Sequence, residues 1–288
     1  MLGVLVIRKE TGCTSHDIVN RVRKVFGTKR VGHAGTLDPQ ASGVLVVAVG
    51  PATRFLQYLP LEPKGYVADF TFGAATSTYD LEGEVTFTGP VPTDIRAAVE
   101  EMRPQFMGLI EQLPPMFSAV KLNGKPLYAY ARQGKELDRE PRTVHVGAFD
   151  ILGGEGNTLR IEIECSGGTY IRSLAHDLGQ ALGCGAHLSR LERTRVGKFF
   201  LKDAVALENL KMEDLIPLKE ALPPMPLLDL NPTQTAYIRD GRTLILNDMP
   251  EAKLIGLVGD NGQVVGIGRR HGNVLQPDCV IPIEAGIV

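Results

Sequence analysis

Long hydrophobic runs are missing from this chain of 288 residues. The longest uninterrupted apolar stretch, Val44 to Val49, is far too short to span a bilayer. The opening Met1-Leu2-Gly3-Val4-Leu5-Val6-Ile7 lacks a basic n-region and a cleavage site, which predicts a first strand rather than a signal peptide. Cysteine is scarce as well. Cys13, Cys165, Cys184 and Cys279 form no C-x-x-C pair and no Cys/His cluster, so a zinc site is excluded and a reduced, cytoplasmic compartment fits best. There is no low-complexity tract and no internal repeat. Charge of one sign is not in excess either: 31 Lys+Arg against 33 Asp+Glu gives a net charge of −2, which alone argues mildly against a polyanionic partner.

The distribution of charge reverses that argument. Between His16 and Arg30, five basic residues (Arg21, Arg23, Lys24, Lys29, Arg30) stand against Asp17, and between His187 and Lys202 another five (Arg190, Arg193, Arg195, Lys198, Lys202) stand against Glu192. The acids gather elsewhere, notably at Asp80, Glu82, Glu84, Asp94, Glu100, Glu101 and Glu111. Local basic surface binds phosphate whatever the chain total. Hydrophobic content of 43% and charged content of 22% are ordinary globular values, and the length predicts two domains.

Elements of both kinds mix without strict βαβ alternation. Residues 3–7 read as a strand. Thr14 or Ser15 can N-cap a helix that carries Ile18, Val22, Val25 and Phe26 on one face and ends at Gly27. Residues 66–72, 143–152 and 158–164 read as strands, and 93–102 and 170–182 as helices. The segment Leu222-Pro223-Pro224-Met225-Pro226 marks a linker. Beyond it, Asp260-Asn261-Gly262 predicts a hairpin, because Asn-Gly favours positive φ at both turn centres. From 114 to 142, Gly, Pro and aromatics interleave with six basic residues from Lys121 to Arg142, which suggests a mobile basic insertion.

One stretch carries chemistry: Gly32-His33-Ala34-Gly35-Thr36-Leu37-Asp38-Pro39-Gln40-Ala41-Ser42-Gly43-Val44-Leu45. It presents a single carboxylate, Asp38, in a glycine-studded turn stiffened by Pro39. Read alone, this is a poised reactive group or a turn-capping Asp. The stretch resembles the catalytic motif of the TruB family of tRNA pseudouridine synthases. Further blocks resemble the same family in order: Thr11 to Ser15, Gly50-Pro51-Ala52-Thr53-Arg54, Thr76 to Gly83 with Thr78, Asp80 and Glu82, Cys165 to Leu174, and Gly183 to Leu188. Six ordered blocks over about two hundred residues are far more specific than one short motif.

The resemblance implies a mixed α/β (α+β) pseudouridine synthase fold with a central, mainly antiparallel sheet. The catalytic domain would span 1–222, with a thumb-like insertion at about 114–142, and a small β-rich, PUA-like RNA-binding domain would span 228–288. It implies the isomerisation of the T-loop uridine (position 55 in tRNA numbering), bound through the tRNA T-stem–loop. Neither cofactor nor metal is expected, since no redox change or energy input is needed, and nothing suggests more than a monomer. Asp38 matches the catalytic aspartate, Arg172 the arginine that pairs with it, and Tyr66 the active-site tyrosine of the Lys-x-Tyr strand. His33 matches the residue filling the space vacated by the flipped base, and Leu191 an apolar residue against the base. Tyr170 would line the same pocket, and Lys9 and the thumb residue Lys121 would contact RNA. A nearby cation should hold Asp38 ionised by depressing its pKa. One departure stands out: Glu10 replaces the proline usual after the lysine. The alternatives are a non-catalytic tRNA-binding or tRNA-folding chaperone on this scaffold, and a guide-RNA-dependent relative, for which the basic terminal extension is lacking. A phosphatase with an Asp-x-Asp loop fails at Gln40.

Overall fold

The computed structural model describes residues 1–282. The last residues of the expected C-terminal domain, 283–288, lie outside the described residues. In chain order the first elements are β1 (Gly3–Lys9), α1 (Ser15–Phe26), β2 (Val31–Ala34) and β3 (Ser42–Val49). A 3-10 stretch (Gly50–Tyr58) leads to β4 (Lys64–Phe72), β5 (Ala74–Thr76), β6 (Val85–Thr88), α2 (Ile95–Met102) and β7 (Gly108–Gln112). The insertion holds only β8 (Lys121–Leu122), β9 (Lys125–Pro126) and α3 (Leu127–Ala131). Then come β10 (Arg142–Glu155), β11 (Thr158–Cys165), α4 (Ile171–Ala181), β12 (Ala186–Val196), β13 (Phe199–Phe200), β14 (Val205–Ala206) and α5 (Leu218–Ala221).

The apolar run in β3 is buried on both faces, as a strand without polar alternation must be. Val44 and Val46 pack with Val4, Val6 and Phe55, while Leu45, Val47 and Val49 pack with Leu5, Ile7 and the apolar face of α1. That helix begins and ends where its caps predict. The Thr14 side chain accepts from the Asp17 amide in a capping box, and Gly27 closes the helix at φ 60.

A 10-stranded sheet organises the molecule in the order β14-β1-β3-β12-β4-β11-β10-β7, with β2 on β3 and β13 on β12. Pairing is antiparallel except at β1–β14 and β3–β12. The β3–β12 seam joins two halves of the sheet through Ser42–Glu192 and Gly43–Arg193. Gly43 has φ 106, and a Cβ there would stand 2.2 Å from the Arg193 carbonyl oxygen, so only glycine fits. Helices α2 and α4 cover the second half, over Ala68, Phe70, Phe149, Ile161 and Ile163.

After the Pro-rich punctuation come β15 (Leu227–Asp229), α6 (Pro232–Arg239), β16 (Leu244–Ile245), β17 (Leu254–Val258), β18 (Val264–His271) and β19 (Val274–Val280). They form a 5-stranded sheet ordered β15-β17-β18-β19-β16. The hairpin at Asn261-Gly262 forms, but not as the expected two-residue turn. Gly262 alone has positive φ (73), the Gly259 amide donates to Gln263 O, and the Asn261 side chain accepts from the Gln263 amide. This second sheet does not stand apart from the first: Val264, Ile267 and Cys279 share a cluster with Val4, Val6 and Phe55. Among the described residues no helix is long and apolar enough to cross a membrane.

Candidate active site

Asp38 sits between β2 and β3, and its loop is pinned from three sides. The Ser15 hydroxyl donates to Leu37 O and accepts from the Leu37 amide, at 3.1 and 2.9 Å. The Lys9 ammonium donates to the carbonyls of Glu10, Pro39 and Ala41. Arg193, only 1% exposed, donates from Nε to Val44 O, from Nη2 to Gly35 O and from Nη1 to Thr36 O. A buried cation is tolerable here because each face meets a carbonyl oxygen.

Arg172 opens α4 and reaches the loop from the far side. Its Nη2 lies 3.1 Å from Asp38 Oδ2 and donates to Phe117 O at 2.8 Å; its Nη1 lies 3.2 Å from Asp80 Oδ2 and donates to Thr78 O. The guanidinium is thereby fixed by a second carboxylate and two carbonyls, and it presents one face to Asp38. Gln112 anchors the start of α4, accepting from the Tyr170 amide and donating to its carbonyl.

The expectation of a depressed Asp38 pKa is not met. Burial raises it above the ordinary carboxylate value, reinforced by Asp80 and Glu82, and the opposing pull of Arg172, then of Lys9, does not overcome this. The carboxylate is 48% exposed to its cavity, so it keeps contact with water until the cavity is filled. Tyr66 is buried to 6% exposure, and burial raises its pKa against the opposing pull of Arg193. It is a neutral phenol at pH 7.

Two cavities flank the Asp38–Arg172 pair. One, of about 240 Å³, is floored by the buried Tyr66 and Arg193 and is lined also by Leu191, Tyr170, Ser118 and Lys64. The other, of about 500 Å³, is lined by Ala41, Leu81, Leu188, Leu191 and Arg190, with Asp80 and Glu82. Asp38, Arg172 and Leu191 border both. Thus Asp38, Tyr66, Arg172, Tyr170 and Leu191 converge.

The other expected site residues do not join them. Lys9 has no exposed surface and its donors are committed to the loop backbone, so it organises Asp38 rather than meeting RNA. His33 lies on β2 opposite Val47, half-buried, outside the linings of both cavities, and its Nδ1 has no partner among the described residues. Lys121 is exposed and lines a separate cavity in the insertion with Arg139 and Arg142. Glu10 is exposed and paired with Arg8.

The basic stretch 187–202 is only partly a surface. Arg193 is interior, Arg195 pairs with Glu164, and Lys198 donates to the carbonyls of Glu220 and Leu222. Asp80, one of the acids that lie away from the basic stretches in the sequence, is held at the centre in the β5–β6 turn, paired with Arg172 of α4 and bridged to Leu188 of β12. Its place in the Thr78-x-Asp80 block was the signal available. Arg193 gave none, because one arginine in a basic run looks like its neighbours. Among the described residues no group of three or more His, Cys, Asp or Glu side chains could hold a metal ion.

Residues 23–171 match the family described as TruB family pseudouridylate synthase (N terminal domain), and residues 172–226 that described as tRNA pseudouridylate synthase B C-terminal domain. The limit between the two matches falls at the start of α4 and divides one continuous sheet. The chain is 39% identical over 277 residues to a Pseudomonas fluorescens protein named tRNA pseudouridine synthase B, across 92% of this chain and 90% of that one. It is 41% identical over 295 residues to its namesake in Acaryochloris marina, across 99% and 100%. Among solved structures it resembles a chain of a Cbf5-Nop10-Gar1 complex, with TM-score 0.67 and 28% identity over 97% of this chain and 85% of that one. A chain of an H/ACA RNP bound to a substrate RNA containing 2'-deoxyuridine gives TM-score 0.66 and 27% identity, over 97% and 85%. With near-complete coverage at this identity, the chain belongs to the TruB family of pseudouridylate synthases.

Proposed function

We propose that this protein is a tRNA pseudouridine synthase that isomerises the T-loop uridine, with Asp38 as the reacting carboxylate. The observation that carries the reading is Asp38 held by Arg172 at the edge of a cavity floored by a tyrosine. The bacterial relatives named tRNA pseudouridine synthase B support tRNA as the substrate.

The chemistry is an internal rearrangement. The N1–C1′ bond of uridine breaks, the uracil turns, a C5–C1′ bond forms, C5 gives up its proton and N1 gains one. Atoms and electrons balance within the substrate. What the protein supplies is a carboxylate able to act covalently on ribose or base, or to assist elimination at the sugar, and a pocket in which the freed uracil can turn without leaving. Arg172 orients Asp38 through Oδ2. Tyr66 offers an aromatic face to the base and, as a phenol, a donor or acceptor for a proton. Leu191 provides an apolar wall. A uridine stacked in a folded loop cannot reach this recessed floor, so the enzyme extrudes it at an unstacking cost of a few kcal/mol.

Action as a monomer, expected from the sequence, is part of the same proposal. In this reading, residues 1–222 form the catalytic unit, the insertion at 114–142 closes over the T-stem–loop, and the C-terminal sheet is a PUA-like RNA-binding module. Folded RNA is then read by shape, backbone and extruded bases. Four free thiols are in keeping with a cytoplasmic site of action.

A T-stem–loop RNA carrying 5-tritiated uridine tests the reading. Wild type should release tritium, and Asp38→Asn should bind the RNA with release slowed by roughly 10³-fold or more, as when a group acting on the reacting bond is removed. Tight binding without release by wild type would overturn it.

A further inference from the structure

Three cations line the cavity floored by Tyr66: Lys64, Arg172 and Arg193. The two arginines are fully engaged with carbonyls and carboxylates of the protein. Lys64 is not. Among the described residues its ammonium makes no hydrogen bond and no ion pair, although burial and Arg193 lower its pKa, against Cys165 and Glu62. An unpartnered cation in a concavity is costly unless a ligand supplies the missing charge.

Its position indicates what that ligand is. Lys64 begins β4, two residues before Tyr66, so both side chains leave the same face of the strand. The ammonium stands 3.4 Å from where a Cβ on Gly35 would lie, and 3.8 Å from the corresponding point on Gly167. Gly35 and Gly168 are exposed, with φ of 77 and 85, and form two backbone turns at the mouth of the cavity. Lys64, half-buried, thus stands at the rim beside the exposed Gly35 turn, whereas Arg193, 3.5 Å from the same Gly35 point, is buried with Tyr66 at the floor; on the other side the Gly167 amide donates to Glu62. A base reaching the floor must trail its own sugar–phosphate backbone across that rim. Lysine meets phosphate as a point charge, and glycine turns let a backbone pass closely.

We propose that Lys64 is a phosphate-binding residue that takes the phosphodiester flanking the extruded uridine, fixing the nucleotide's backbone at the rim while its base enters. This rests on the reading of the cavity as the uridine site.

The test measures Kd for the T-stem–loop over a series of salt concentrations, with wild type, Lys64→Met and Lys64→Arg. Parallel RNAs carry one neutral methylphosphonate linkage, either 5′ or 3′ of the target uridine. Lys64→Met should bind about tenfold more weakly, and its slope of log affinity against log salt should fall by about 0.7 to 0.9, the value of one phosphate contact. Lys64→Arg should restore most of both. One neutral linkage should weaken wild type and leave Lys64→Met unchanged. An unchanged salt slope in Lys64→Met overturns the proposal, and so does a wild type that binds both neutral-linkage RNAs as tightly as the parent. Tritium release by wild type is followed alongside. If wild type is inactive, the functional reading fails; if it is active with an unchanged slope, only the role of Lys64 fails.

Discussion

Asp38 illustrates how burial can outweigh an ion pair. Arg172 stands 3.1 Å away, yet the pKa is raised, because desolvation and the neighbouring Asp80 and Glu82 prevail. If the ionised form reacts, the acid limb of kcat/KM should lie above the ordinary carboxylate value of 3.8, and a pH–rate profile reads it directly. Arg172→Met removes the largest charge favouring ionisation and leaves Asp38 facing Asp80, so that limb should move to higher pH while kcat falls. Stability follows the same sign. With the folded pKa above the unfolded one, the folded protein holds the extra proton between the two values, so stability falls as pH rises through that window and stays lower above it.

Asp177 on α4 shows the effect without catalysis, its pKa pushed up to about 6 by burial alone. Asp177→Asn should stabilise the protein at pH 7 by on the order of 1 kcal/mol, a figure discounted because the side chain keeps partial contact with water. It should also abolish this group's share of the decline in stability between about pH 4 and 6. Denaturant titrations at pH 4 and 7 measure both. Neither burial nor its consequence is visible in a sequence, where Asp38 and Asp177 are simply acids among others. The motif singled out Asp38 as the candidate reacting carboxylate, and only the packing around it shows which way its proton equilibrium moves.

Local signals located most elements well. The helix cap at Thr14 or Ser15, the glycine at 27, the alternation in β11 and the apolar run of β3 each depend on neighbours within a few residues; the structure makes Thr14 the cap and keeps the others in place, but turns Val25 of the expected apolar face out to solvent in favour of Val19. Thr14→Ala should cost about 1 kcal/mol of stability, measurable by urea unfolding. The segment between β5 and β6 was legible only as a block of matching residues. There Tyr79 adopts φ 66, unusual for a residue with a Cβ, and its ring stacks on His176 at 3.8 Å and 14°. The residues on either side, Thr78 and Asp80, are those that grip Arg172. The stack ties the turn to the helix that carries Arg172, one turn beyond it. Tyr79→Ala should therefore lower kcat by roughly tenfold with little change in KM, whereas Tyr79→Phe keeps the stack and should behave as wild type. Steady-state tritium-release kinetics on both, with thermal melts as a folding control, separate this from simple destabilisation.

The two sheets share a buried cluster, and their join is reinforced by polar contacts. The Tyr58 hydroxyl donates to Asp278, which also pairs with Arg269, and Arg54 donates to Val280 O. Phe55, with no exposed surface, lies in the shared cluster. Phe55→Ala should cost about 3–5 kcal/mol and lower the midpoint for both sheets together, because the cavity opens between them. Calorimetry showing one transition in wild type and one earlier transition in the variant checks this; two resolved transitions in wild type would contradict it. The Pro-rich segment at 222–226 predicted a linker and does mark a change of sheet, but not a gap between cores, since a linker's composition says nothing about what packs across it. The sequence by itself determined the caps, the strand alternation, the carboxylate-bearing turn and, through its ordered motifs, the family. These are properties of short windows, where a few side chains and their spacing decide the outcome. Only the tertiary structure decided that Lys9 and Arg193 are internal braces, that Asp80 joins Arg172, that burial raises the Asp38 pKa and that Lys64 finds no partner among the described residues. Each of those depends on burial and on residues distant in the chain meeting at the β3–β12 seam, and such distances are set by the fold alone.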